Sequence, residues 1–132
     1  MAELEKIPKS AVARVLIVDD EEGMRNYLSV VLRKAGIDTA EAVDGLAAAE
    51  LLAKETFDVV LEDLKMPRLD GLGLLRRIRD EHPETAVVVM TAFSTWETAV
   101  EAMRLGAFNY IRKPFDNEEI RAIVKRAAEV VQ

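Results

Sequence analysis

An α/β fold, with a parallel sheet covered by helices on both faces, is predicted by three observations. Strand-like apolar runs and helix-like periodic segments alternate five times from Arg14 onward. The connections between them are short, as right-handed βαβ crossovers in one sheet require. The run at 57–62 is nearly unbroken in its hydrophobicity, which marks a strand buried on both faces.

The elements follow in order. Val15, Leu16, Ile17 and Val18 lead into Asp19, giving strand one over 15–19. Met24, Tyr27, Leu28, Val31, Leu32 and Ala35 recur at helical spacing, so helix one carries a single buried stripe. Arg33, Lys34 and then Gly36 are its stop signals. A weaker strand two over 37–42 reads as a sheet edge. Asp44 and Gly45 open an alanine-rich helix two over 46–54. Strand three spans 57–62, a loop with Met66 and Pro67 fills 63–70, and helix three runs 71–81, stopping before Pro83. Strand four, 86–90, ends at Thr91. Ser94 and Glu97 form a capping box that opens helix four, which runs to Leu105 and ends at Gly106. Strand five covers 107–111. Asp116 and Glu119 cap helix five, whose stripe is Ile120, Ile123, Val124, Ala127 and Val131.

The bulk properties narrow the function. A chain of 132 residues is one domain with room for a sizeable core. Its net charge of −6 argues against nucleic acid as a direct partner, because phosphate backbones demand a basic face. With no cysteine there is no thiolate nucleophile and no Cys-based metal site. No apolar stretch approaches the roughly 20 residues a membrane-spanning helix needs. Residues 1–13 are mixed and charged, without the apolar core of a signal peptide, and read as a flexible lead-in to a domain over 14–132. The expected location is the cytoplasm. The apolar ending Val130-Val131 suggests a helix that continues in a parent protein or dimerises.

Asp19, Asp20 and Asp63 carry the chemistry. Each stands at the end of an apolar run, which puts its carboxylate at the carboxyl edge of the sheet, where open α/β folds bind ligands. If the two strands are neighbours, three carboxylates meet in one crevice. Such like charges stay ionised together only with a cation among them, or one takes a proton. All-oxygen ligands suit a hard divalent ion such as Mg²⁺, and metal-assisted phosphoryl chemistry follows.

With these acids, Leu64-Lys65-Met66-Pro67, Asp70-Gly71, Met90-Thr91-Ala92 and the segment 106–115 ending in Lys113-Pro114-Phe115, the chain resembles the receiver domain of bacterial two-component response regulators. The resemblance implies a flavodoxin-like (βα)5 three-layer sandwich with strand order 2-1-3-4-5. It implies Asp63 as the residue phosphorylated by a partner sensor histidine kinase. Mg²⁺ would be held by Asp19, Asp20, Asp63 and the Lys65 backbone carbonyl. Thr91 and Lys113 would contact the phosphoryl group, Tyr110 would be the switch aromatic, and the Lys113-Pro114 peptide would be cis. An output domain or effector protein is the expected recipient of the signal, and a phosphorylation-dependent homodimer through helices four and five is a further expectation. The segments 90–93 and 112–115 look like those of receivers joined to σ54-dependent transcription activators.

Three other readings compete. A Mg²⁺-dependent phosphatase resembling the haloacid dehalogenase group needs a second aspartate two residues after the nucleophile, where this chain has Lys65. A flavin carrier of the same fold wants a phosphate cradle after strand one, and Asp19 to Glu22 would repel it. An inert interaction module needs none of the reactive residues present. Glu62, an acid where the family often has an apolar or small residue, should point away from Asp63 by strand alternation. Lys65 and Phe93 flank the site without a group that activates water, so a long-lived phosphorylated form is expected.

Overall fold

The computed structural model describes residues 13–65, 70–92 and 96–130. Strands Arg14–Val18 (β1), Asp38–Ala42 (β2), Val59–Asp63 (β3), Ala86–Thr91 (β4) and Asn109–Arg112 (β5) form one parallel sheet in the order β2-β1-β3-β4-β5. The helices are Glu22–Lys34 (α1), Gly45–Lys54 (α2), Gly71–Glu81 (α3), Trp96–Arg104 (α4) and Asn117–Val130 (α5). The order reverses between β1 and β3, which makes the crevice above their carboxyl ends the switch point of the sheet.

Side-chain alternation divides the core into two layers. Val15, Ile17, Val59, Leu61, Val88 and Met90 face Leu28 and Leu32 of α1 and Ile120, Val124 and Ala127 of α5. Leu16, Val18, Val60, Val87 and Val89 face Leu52 of α2, Leu74, Leu75 and Ile78 of α3, and Ala102 of α4. The predicted three-layer sandwich and its strand order are therefore present.

Helix ends are set by the residues that the sequence marks. Asp44 Oδ1 accepts from the Ala47 N–H at 2.8 Å and opens α2. Asp116 and Glu119 cap α5 reciprocally, at 2.8 and 3.0 Å. Gly36 and Gly106 follow α1 and α4 at φ of 84° and 104°, the left-handed conformation that suits glycine. Ser94 of the expected α4 capping box, and Val131 of the α5 stripe, lie outside the described residues.

Strand boundaries shift for local reasons. β1 ends at Val18, not Asp19, because Asp19 Oδ1 turns to accept the Glu21 N–H at 2.9 Å. β3 begins at Val59, just after Asp58, whose Oδ2 accepts the Arg14 N–H at 2.7 Å, and it extends through Asp63, which pairs with Met90. β5 starts at Asn109 because the Ala107 N–H bonds back to the Ala102 carbonyl at the end of α4.

One close approach ties α3 to β3. A Cβ on Gly71 would lie 2.6 Å from Leu64 Cα and 2.7 Å from the Asp63 carbonyl oxygen, both backbone atoms unable to step aside. The Gly71 N–H donates to the Leu64 carbonyl at 3.2 Å, and Asp70 caps the helix through the Gly73 N–H at 2.8 Å. Gly71→Ala is therefore expected to cost on the order of 1–3 kcal/mol, read as a lower urea midpoint, with the largest amide shift changes at 62–65.

Candidate functional site

The parallel register delivers Asp19, Asp63 and Lys113 to one edge. β1 lies between β2 and β3, with Val18 opposite both Ala42 and Glu62. Asp63 pairs with Met90, and Thr91 pairs with Arg112, so the next residues in β4 and β5 rise beside the acid. The Lys113 N–H donates to the Thr91 carbonyl at 2.9 Å, which locks the two strand ends together. The Lys113-Pro114 peptide is cis.

The three aspartates converge: one carboxylate oxygen from each of Asp19, Asp20 and Asp63 lies within 4.8 Å of the others. Oxygens around an octahedral Mg²⁺ at about 2.1 Å stand roughly 3–4 Å apart, so a small contraction suffices and the donor set fits a hard divalent cation. Asp19 is fully buried, Asp63 nearly so, and Asp20 is exposed. Lys113 Nζ closes the pocket, 2.9 Å from Asp63 Oδ2 and 3.3 Å from Asp19 Oδ2. Lys65 folds back over the acid, its N–H 2.9 Å from Asp63 Oδ1.

The electrostatics are those of crowded carboxylates. Burial pushes the Asp19 carboxyl above its ordinary range, against the opposing pull of the Glu21 N–H and the Lys113 ammonium. Burial also works against the charge on Lys113, but its hydrogen bond to Asp63 and the charges of Asp63 and Asp19 outweigh it and raise its pKa. One ammonium faces three acids, and the local excess of negative charge favours a cation.

Thr91 is buried at the end of β4. Tyr110 is half-buried on β5 and borders an apolar recess of about 320 Å³ with Ala99, Val100, Met103 and Arg104 of α4. Met66, Pro67 and Phe93 lie outside the described residues, as does the side chain of Trp96.

Two features were not read from the sequence. Arg25, one turn into α1, reaches the Asp19 carbonyl; its spacing from Asp19 carries no motif. Glu62 points away from Asp63, as alternation requires, but it is fully buried and neither carboxylate oxygen has a hydrogen-bond partner among the described residues. Burial, then the charges of Asp70 and Asp63, hold its carboxyl well above the usual range. The folded state keeps this proton to higher pH than the unfolded chain, whose glutamate titrates near 4.5. Stability relative to Glu62→Gln is thus expected to be steady below that pH and to fall above it, at about 1.4 kcal/mol per pH unit until Glu62 ionises in place. Parallel urea titrations from pH 4 to 8 measure it, and a pH-independent difference between the two proteins contradicts it. Glu62→Met should raise the melting temperature at neutral pH.

The chain matches the response regulator receiver domain family over residues 15–125. It is 43% identical to the DNA-binding transcriptional regulator NtrC of Escherichia coli over 86% of this chain, which is 24% of that protein. It is 40% identical to sporulation initiation phosphotransferase F of Bacillus subtilis, over 86% of this chain and 91% of that one. Among solved structures, the Francisella response regulator 1452 receiver domain superposes with a TM-score of 0.85 at 30% identity, covering 91% of this chain and 99% of its own. The chain thus spans about a quarter of NtrC and nearly the whole of phosphotransferase F. Among the described residues, no helix is long and apolar enough to cross a membrane.

Proposed function

Since the chain belongs to the response regulator receiver domain family, we propose that it is a phosphorylation switch in which Asp63 accepts a phosphoryl group from the phosphohistidine of a sensor kinase. The observation that carries this reading is the convergence of three acids and one ammonium at the switch point of the sheet. An Asp63 carboxylate oxygen attacks phosphorus while the N–P bond breaks, and the imidazole departs with the bonding pair. Two anions must approach for this to happen, so the site has to lower their repulsion.

Asp19, Asp20, Asp63 and the Lys65 carbonyl would hold Mg²⁺. When bound, that ion neutralises the acids and stabilises charge on the equatorial phosphoryl oxygens. Lys113, already 2.9 Å from Asp63, supplies positive charge from the β5 side and can follow the oxygen that becomes part of the aspartyl phosphate. The Thr91 hydroxyl donates to a phosphoryl oxygen, a bond that exists only in the modified state and so biases one conformer. Movement at Thr91 draws on β4 and frees Tyr110 to turn toward the space beneath α4. The switch uses no external substrate beyond the phosphodonor.

The recipient of the signal is an output domain or effector protein. The likeness to NtrC over its matched quarter, with the resemblance of 90–93 and 112–115 to receivers of σ54-dependent activators, supports transcription control as the downstream role. The match to nearly all of phosphotransferase F favours a second reading, a stand-alone relay receiver that hands its phosphoryl group onward.

With Mg²⁺ and acetyl phosphate the protein is expected to gain the mass of one phosphoryl group, and Asp63→Asn to gain none. Lys113→Ala should slow the gain by about 10²-fold or more. No mass gain and no spectroscopic response to beryllofluoride in the unmodified chain would overturn the switch reading. A phosphorylation-dependent homodimer through α4 and α5 should appear as faster sedimentation with beryllofluoride; an unchanged coefficient refutes the dimer alone.

A further inference from the structure

Asp20 is the member of the acid trio with nothing of its own to aim it. Its side chain is exposed and has no hydrogen bond or ion pair among the described residues. Asp19, by contrast, is held at four atoms. Its N–H donates to the Ala42 carbonyl at 3.2 Å, Oδ1 accepts from the Glu21 N–H at 2.9 Å, and Oδ2 receives Lys113 Nζ at 3.3 Å. Its backbone carbonyl accepts from Arg25 Nη1 at 2.7 Å. That carbonyl belongs to the rigid peptide plane leading directly into Asp20. Whatever holds the plane sets the point and direction from which the Asp20 side chain leaves.

Arg25 is itself held. Its Nε donates to Glu41 Oε1 at 3.2 Å, and Glu41 Oε2 accepts from the Ser29 hydroxyl at 2.8 Å. Ser29 is buried on α1, Glu41 comes from β2, and the Arg25 side chain is only 13% exposed. A guanidinium is planar, with its donors in a fixed fork, so pairing one edge with Glu41 aims the other at Asp19. An ordinary surface ion pair contributes about 0–1 kcal/mol and has no target beyond its partner. Here the shortest contact of the chain Ser29–Glu41–Arg25 is with the backbone of the acid site.

Resting on the function proposed above, we infer that Arg25 is a positioning residue of the cation site: braced by Glu41 and Ser29, it holds the Asp19–Asp20 peptide so that Asp20 completes the ligand set. Mg²⁺ demands near-ideal octahedral placement, whereas Ca²⁺ accepts irregular sets of six to eight oxygens. Loosening Asp20 therefore penalises Mg²⁺ more than Ca²⁺.

The test is titration of the full chain with Mg²⁺ and, separately, Ca²⁺, followed by backbone amide shifts. Arg25→Ala should weaken Mg²⁺ binding about 10- to 100-fold, the scale of residues that orient metal ligands, and Ca²⁺ binding less than about threefold. Arg25→Lys, which keeps a donor but not the fork, should fall between. Equal losses for both ions mean that Arg25 only supports the fold, and gains for both mean that only its charge matters; either overturns the inference. Should Arg25→Ala fail to fold, Glu41→Ala keeps the guanidinium but removes its brace, and an unchanged Mg²⁺-to-Ca²⁺ ratio there overturns it equally. Wild-type protein that binds no Mg²⁺ at all refutes the site reading itself.

Discussion

Crowding of like charge at one sheet edge is the constraint on which the rest of the structure depends. Asp19, just past the end of β1, and Asp63, at the end of the adjacent β3, are withdrawn from water, so neither can rely on solvent to screen it. Lys113 answers both from the far side, although it comes from β5, two strands away from β3. Reaching it requires β4 to end in step with β3, and β5 to end in step with β4. The register pairs and the bond from the Lys113 N–H to the Thr91 carbonyl supply that alignment. The buried strands thus act as a ruler that sets where charge is placed.

Packing adds a second layer of precision. Gly71 lets the start of α3 lie against the Asp63–Leu64 backbone at a distance that admits no Cβ, so the helix buttresses the end of β3 directly. On the other side, Asp19 is tied to β2 through Ala42 and to α1 through Arg25. Every element touching the acids is therefore anchored to a neighbour, while Asp20 and the Lys65 side chain stay at the solvent boundary.

The alternation of apolar runs with helical stripes was enough to read the fold, because burial on both faces leaves strands such as β3 and β4 few polar positions. The acids were legible for the opposite reason: an aspartate that closes a buried run, as Asp63 does, has little packing role to explain it. Boundaries were less legible, since they depend on bonds between distant residues, such as Asp58 with Arg14 or Ala107 with Ala102. Alternation told which way Glu62 points but not that it is sealed from water with no hydrogen-bond partner among the described residues, because the cover comes from α3. Arg25 and Glu41 escaped notice because their meeting is a matter of neighbouring strands and helix phase, not of sequence spacing.

The division of the core into two layers has a mechanical consequence. By alternation Asp63 belongs with the side chains that look toward α1 and α5, while Tyr110 packs in the layer containing α2, α3 and α4. On the proposed switch reading, the residue to be modified and the aromatic stand on opposite faces of the sheet, so a signal from Asp63 to Tyr110 would have to cross the sheet, as a lever passes through a wall, by way of the ends of β4 and β5.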